Sequence, residues 1–254
     1  MKQPKDLFSE QAADYRRFRP SYPANLLEDI IALVPDRQRA LDCATGNGQV
    51  ARALSPYFQQ VNAIDISEEQ LRQAPSAPNI TYSRQRAEAT GFANGTFDLI
   101  CVAQAIHWFD IPAFHNEARR LLKPGGVLAV WGYGLLKTDP ETDAWLDRYY
   151  RQVVGPYWEP ERRYVEAAYA NLPFPWEEIE MPGPYSIRRE VALEDIAGYL
   201  YSWSATRHLL HTERDPVPEW MDQLAARWIP GSTREARHEI FLRAGRADVP
   251  DGDG

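Results

Sequence analysis

A doubly wound α/β fold, a mostly parallel sheet layered between helices, is what residues 35–135 predict, and three observations carry that expectation. The run Ala40-Leu41-Asp42-Cys43 is apolar around one carboxylate and is then broken by Gly46 and Gly48. Val50, Ala51 and Leu54 follow on one helical stripe. Strand, glycine turn and helix open a nucleotide-binding βαβ unit, because glycine lets the backbone turn tightly and lie against a ligand. A second apolar run, Val61 to Ile64, ends in Asp65. Dinucleotide folds place the acid that takes ribose hydroxyls there, about 20 residues beyond the glycines. The third observation is Phe97 to Val102, nearly continuous in apolar character as a strand buried on both faces should be.

The elements follow in order. Phe8, Ala12, Tyr15 and Phe18 fall loosely on one helix face, which Arg19-Pro20-Ser21-Tyr22-Pro23 ends. Asn25 can cap the next helix, whose stripe is Leu26, Leu27, Ile30, Ile31 and Val34, with Pro35 as its stop. Strand one covers Arg39 to Cys43 and its helix runs to about Tyr57. After the Asp65 strand, Ser67 opens a capping-box pattern with Gln70, leaving Asp65 available to a ligand. Ile80 to Arg84 alternates as strand three. Strand four opens into Ala103 to Asp110, at the carboxyl end where such sheets bind ligands. A helix over Pro112–Leu122 then leads to strand five, Val127 to Trp131.

Beyond residue 136 the composition shifts, with six of the eight tryptophans there. A helix over Asp143–Val154 carries Trp145, Leu146, Tyr149, Tyr150 and Val153 as a packing stripe. Glu178 to Met181 and Tyr185 to Val191 alternate like antiparallel strands, Asp195 to Leu210 is helical, and His238 to Arg243 reads as the last strand. The organisation expected is an N-terminal helical segment (1–34), a binding core (35–135), a mainly helical cap with the last strands (136–245) and a frayed tail (246–254).

Composition narrows the function. The chain has 254 residues, 44% hydrophobic and 25% charged, which suits one globular domain with an insertion. No apolar run approaches the ~20 residues that cross a bilayer, and Met1 to Tyr15 lacks a signal-peptide centre, so a cytoplasmic protein without a membrane partner is expected. Cys43 and Cys101 sit in apolar strands as small buried hydrophobes. Without a Cys-x-x-Cys or paired-histidine spacing, neither a disulfide framework nor a metal site is expected. A net charge of −8 argues against nucleic acid. Arg16-Arg17-Phe18-Arg19 reads either as a solvated segment or as an anion clamp.

The cofactor question turns on one position. The third glycine of the nicotinamide fingerprint is missing, since Gly48 is followed by Gln49, Val50 and Ala51. Asp42-x-Ala44-x-Gly46-x-Gly48 instead resembles motif I of the class I S-adenosylmethionine-dependent methyltransferases, with Ala44 in place of its first glycine. Ala87-Glu88 after strand three and Leu122-Lys123-Pro124-Gly125-Gly126 before strand five are similar to further marks of that family. The flanks, Tyr15 to Pro23 and Ser202-Trp203-Ser204, resemble its trans-aconitate-methyltransferase-like branch.

The resemblance implies a Rossmann-like sheet of seven strands under a helical cap, with the N-terminal segment closing over the cofactor. It implies S-adenosyl-L-methionine as methyl donor and S-adenosyl-L-homocysteine as product. Cofactor contacts are expected from Tyr15, Arg19, Asp42, Ala44, Gly46, Asn47, Gly48, Asp65, Ile66, Ala87, Glu88 and Gln104. A small-molecule acceptor would meet Tyr22, His107, Trp108, Trp131, Trp203 and Arg207. His107 is a base or a lining residue, placed where the donor methyl should emerge. The aromatic second half suggests an apolar or aromatic acceptor and the branch a small carboxylic acid; a monomer and a homodimer both remain open. A nicotinamide-dependent oxidoreductase and a non-catalytic scaffold of the same fold are the competing readings.

Overall fold

The computed structural model describes residues 22–212 and 214–249. Expectations for Tyr15, Arg19, the rest of residues 1–21 and the end of the tail lie outside the described residues. Seven strands form one sheet in the order β3-β2-β1-β4-β5-β7-β6. Helix α1 (Ala24–Ala32) precedes β1 (Arg39–Cys43), α2 (Gln49–Leu54), β2 (Gln60–Asp65), α3 (Glu68–Arg72) and β3 (Ile80–Arg84). Then come β4 (Phe97–Ala103), α4 (Ile111–Leu121) and β5 (Leu122–Tyr133). These five strands are parallel. In the second half, α5 (Pro140–Arg148), α6 (Arg162–Glu166), β6 (Tyr185–Val191), α7 (Leu193–Tyr201), α8 (Ser204–Leu210), α9 (Val217–Ala225) and β7 (Arg234–Arg246) complete the chain. Strand β7 runs antiparallel between β5 and β6.

The central strands owe their apolar runs to burial on both faces. Along β4, Ile100 and Val102 enter the core with Leu41, Ile64 and Phe114, while Leu99 and Cys101 enter the opposite one with Leu26, Ile30 and Trp131. A third core lies under the cap helices and gathers Trp145, Tyr149, Leu200 and Trp203. Asp98 anchors the start of β4, accepting from the Gln38 and Arg39 amides at 3.0 and 2.8 Å and from Lys123 Nζ at 2.6 Å.

Several boundaries differ from the expected ones for identifiable reasons. Pro23, not Asn25, stands at the start of α1, with no side-chain cap. The Asp195–Leu210 helix is two helices, because Trp203 takes an extended conformation that turns its ring into the cap core. Glu178 makes a single bridge to Gly245 rather than opening a strand; Pro182 and Pro184 shortly after it have no N–H to donate to a ladder. The stripe expected over Asp143–Val154 is buried apart from a half-buried Val153, yet the helix gives way to a π turn at Tyr149–Val153. Strand β7 is much longer than its apolar centre, since its two ends pair with different neighbours.

Ser67 caps α3, its Oγ accepting from the Gln70 amide at 3.2 Å. Ser67→Ala should lower the unfolding free energy by ~1 kcal/mol, read as the midpoint of urea unfolding. An unshifted midpoint would show that the cap contributes nothing.

Candidate cofactor crevice

Strand order reverses at β1, which has β2 on one side and β4 on the other. The connections leaving β1 and β4 therefore diverge and leave a crevice beyond their carboxyl ends, as open α/β sheets do. It measures about 70 Å³ and is lined by Tyr22, Asp42, Ala44, Thr45, Gly46, Asn47, Gln49, Val50, Ala103, Gln104 and Tyr133. The floor is the loop after β1, whose backbone is left-handed at Ala44 (φ 54°), Gly46 (55°) and Gly48 (79°). Ala44 holds the glycine-like angle in spite of its Cβ, a conformation that costs ~1–2 kcal/mol. At Gly48 a Cβ would also crowd the Tyr82 ring, lying 3.0 Å from its Cε1 and Cζ.

Two carboxylates organise this loop. Asp42 is 1% exposed. Its Oδ2 accepts from Thr45 Oγ1 at 2.5 Å and from the Ala51 amide at 2.9 Å, while its Oδ1 is buried with no partner among the described residues. Burial pushes the Asp42 carboxyl up to about 7, against those two bonds, and the charge of Asp65 adds to the rise. Asp65 is tied into the fold more firmly than the sequence reading allowed. Its Oδ2 accepts from the Gly46 amide and its Oδ1 from the Ser67 amide, both at 2.8 Å. The expectation that Ser67 alone handles the cap and leaves Asp65 to a ligand is thus corrected. Asp65 pins the glycine loop to β2, and only the further lone pairs of each oxygen remain for other donors.

The other expected contacts divide into groups. Asn47 lines the crevice and Gly46 and Gly48 shape its floor, while Ile66 is half-buried just past Asp65. Gln104, also left-handed (φ 53°), spans the ends of β4 and β5: its Oε1 accepts from the Tyr133 amide at 2.8 Å and its Nε2 donates to the Tyr133 carbonyl at 3.3 Å. Ala87 is buried, and Glu88 accepts from the Asp110 amide at 3.1 Å, tying the third-strand loop to the segment after β4. Tyr22 forms a crevice wall with its ring edge-on to Trp131 at 5.5 Å.

Not every expected acceptor contact reaches the crevice. Trp131 is wholly buried in the α1-side core. Trp203 is enclosed by Tyr149, Tyr150, Trp158 and Tyr199 in the cap core. Both rings fill cores, which corrects their assignment as surfaces for an acceptor. Arg207 is half-buried on α8. Trp108 lies against His107 with ring centroids 4.7 Å apart, and His107 itself is 5% exposed. Thr45 and Tyr133 are crevice residues that the sequence reading missed. Thr45 falls on an unspecified position of the motif, and Tyr133 lies one alternation beyond Trp131, past the end expected for that strand.

With this geometry in hand, the class is a doubly wound fold with a nucleotide-type crevice at its switch point. Residues 41–130 match the methyltransferase domain family. A methyltransferase-family protein of Dictyostelium discoideum is 33% identical over 224 residues, covering 86% of this chain and 85% of its own length. A structure described as a type II methyltransferase from Anaeromyxobacter dehalogenans superposes with a TM-score of 0.83 at 40% identity, covering 91% of this chain and 99% of that one. A Saccharomyces cerevisiae protein named as an S-adenosylmethionine-dependent methyltransferase is 27% identical over 135 residues, 48% of this chain and 45% of its own. The chain belongs to the methyltransferase family.

Among the described residues no helix is long and apolar enough to cross a membrane, and no group of three or more potential metal ligands is present.

Proposed function

We propose that the protein transfers a methyl group from S-adenosyl-L-methionine to a small-molecule acceptor. The observation that carries this reading is the Asp42 Oδ1, a buried carboxylate oxygen without a partner among the described residues, at the edge of a crevice floored by left-handed backbone. A polar atom left unmet in that way costs stability unless a donor fills the site. The α-ammonium of the methionine moiety is such a donor, and its positive charge would favour the ionised form of Asp42. Asp65, Ile66, Ala87 and Glu88 would hold the adenosine end, and Gln104, locked by Tyr133, the methionine end. The name of the S. cerevisiae relative supports the same cofactor.

When bound, the cofactor would supply an electrophilic sulfonium methyl, open to in-line attack by the acceptor with S-adenosylhomocysteine leaving as a neutral thioether and no covalent enzyme intermediate. The protein's share is placement and exclusion of water, and alignment alone can lower such barriers by ~7–11 kcal/mol. Tyr22 and Tyr133 supply aromatic walls that would keep water from the methyl and stabilise positive charge through their faces.

Calorimetric titration of the full chain with S-adenosylhomocysteine, S-adenosylmethionine and NADH tests the proposal. The two adenosyl ligands should bind and NADH should not, and preferential NADH binding would overturn it. Because binding a cation selects ionised Asp42, adenosyl-ligand affinity should rise with pH up to the raised value of about 7, by as much as ~10-fold for each pH unit. Flat affinity across that window would detach Asp42 from the ligand.

A further inference from the structure

Strand β6 carries a cation that the fold leaves unanswered. By alternation, Arg189 shares one face of the sheet with Tyr185, Ile187 and Val191, all three buried, while Arg188 and Glu190 lie on the exposed face. The Arg189 Nε and Nη2 are buried and bonded to nothing among the described residues. Three acids beside β6 and β7 are taken by other arginines: Glu235 by Arg188 at 3.1 Å, Glu239 by Arg237 at 3.5 Å and Asp139 by Arg234 at 2.6 Å. A buried guanidinium without a partner costs stability, and it cannot shed its proton to lessen the cost as a carboxyl or an amine can. The residue as a whole is half-buried, so it is not sealed in the core.

The two unmet nitrogens form one edge of the guanidinium. Nε–H and the outer Nη2–H point the same way, spaced like the two oxygens of a carboxylate, and both can be taken at once. The edge left bare is therefore carboxylate-shaped. Its place in the sheet suits a ligand. Strand β6 runs parallel to β5, since each is antiparallel to β7, and Tyr185 stands level with Tyr133 through their shared partner Ile240. Arg189 lies beyond Tyr185 by ~13 Å at the rise of a strand, in the direction in which the crevice opens. A row of side chains on the same face joins the two places. The His238 ring packs on Tyr133 at 5.0 Å and on Tyr199 of α7 at 5.5 Å, and His238 stands opposite Ile187, the preceding residue on the Arg189 face.

We propose that Arg189 anchors the methyl acceptor: its Nε–Nη2 edge holds a carboxylate that serves as a handle, while the methyl goes to another group of the same molecule. This rests on the methyltransferase reading above. Two features separate the handle from the reacting atom. A carboxylate bonded side-on through both oxygens has its charge matched and its lone pairs engaged, which makes it a poor nucleophile. The offset from the level of Tyr133 is also longer than an arginine side chain, so a carboxylate on Arg189 sits away from the crevice wall. Arg189 thus determines which acceptors bind and does not touch the reacting atoms.

Two measurements on the full chain test this. Without ligand, Arg189→Met should melt a few degrees higher than the unmodified protein, because an apolar side chain replaces an unpaired buried charge. A lower melting temperature would make Arg189 a support of the fold and overturn the proposal. Calorimetric titration, with and without S-adenosylhomocysteine, then uses phenylacetate, phenylacetamide and inorganic phosphate as probes. Phenylacetate should bind ~10–150-fold more tightly than its amide, the worth of charge-assisted hydrogen bonds. Arg189→Met should abolish that preference while S-adenosylhomocysteine still binds. No preference for the carboxylate, a preference that survives in the variant, or tighter binding of phosphate would each overturn the proposal. A protein that takes phenylacetate through Arg189 but binds no adenosyl ligand sinks the functional reading and leaves the carboxylate site standing, so the two failures are told apart.

Discussion

Asp65→Ala is expected to lower both the stability of the protein and its affinity for S-adenosylhomocysteine. The carboxylate accepts the Gly46 and Ser67 amides, one on each oxygen, at 2.8 Å. Removing it strands two backbone donors at a site 9% exposed, which should cost ~2–4 kcal/mol of unfolding free energy. The loss of charge-assisted bonds to the ribose should cost a further ~1.5–3 kcal/mol of binding, or ~10–150-fold in Kd. Asp65→Asn should rescue little of either. Two N–H donors converge on the side chain, and an amide meets one of them with its own N–H. Urea unfolding and calorimetry read the two effects separately. Lower stability with unchanged affinity would confine Asp65 to the loop, and unchanged stability would show that the loop is held by other contacts.

The tie from Asp65 to the glycine loop marks where the sequence stops being legible. The strand, the glycines and the acid could be read because each obeys a local rule: a doubly buried strand is continuous in apolar residues, and a left-handed turn favours glycine. That the same acid bonds Gly46, 19 positions away, is a fact of register between β1 and β2, which no single stretch encodes. Ala44 stands in place of the motif's first glycine, yet it takes the left-handed angle that glycine favours. The cap was harder still. A stripe such as Trp145, Leu146 and Tyr149 announces burial, but not where the helix yields to a π turn or that Trp203 belongs to the same core. The hydrogen bond between Tyr169 and His107 carries no local signal, because the two are 62 residues apart and Tyr169 holds a left-handed backbone that its residue type rarely adopts.

Asp42→Asn should separate stability from binding in opposite directions. The Asp42 carboxyl is raised from 3.8 to about 7 on folding, chiefly by burial. The native state therefore holds its proton after the unfolded chain has released it, and stability falls as pH rises through that window. The contribution is fully present below 3.8 and gone above about 7, a difference on the order of 4 kcal/mol. An asparagine cannot ionise, so above neutrality the ligand-free variant should melt higher than the unmodified protein, and the gap should close as the pH is lowered. Its amide oxygen can still accept from Thr45 Oγ1 and the Ala51 amide, the two bonds now made by Oδ2. That orientation puts the amide NH₂ where Oδ1 now stands, presenting donors to the ligand ammonium in place of an acceptor. Affinity for S-adenosylhomocysteine should fall ~10–150-fold, the worth of a charge-assisted hydrogen bond. Equal destabilisation at every pH would contradict the burial penalty, and undiminished affinity would place the ammonium elsewhere. The trade of stability for an unmet acid is what a site kept ready for a cation requires, because an oxygen already satisfied by the fold would gain nothing from the ligand.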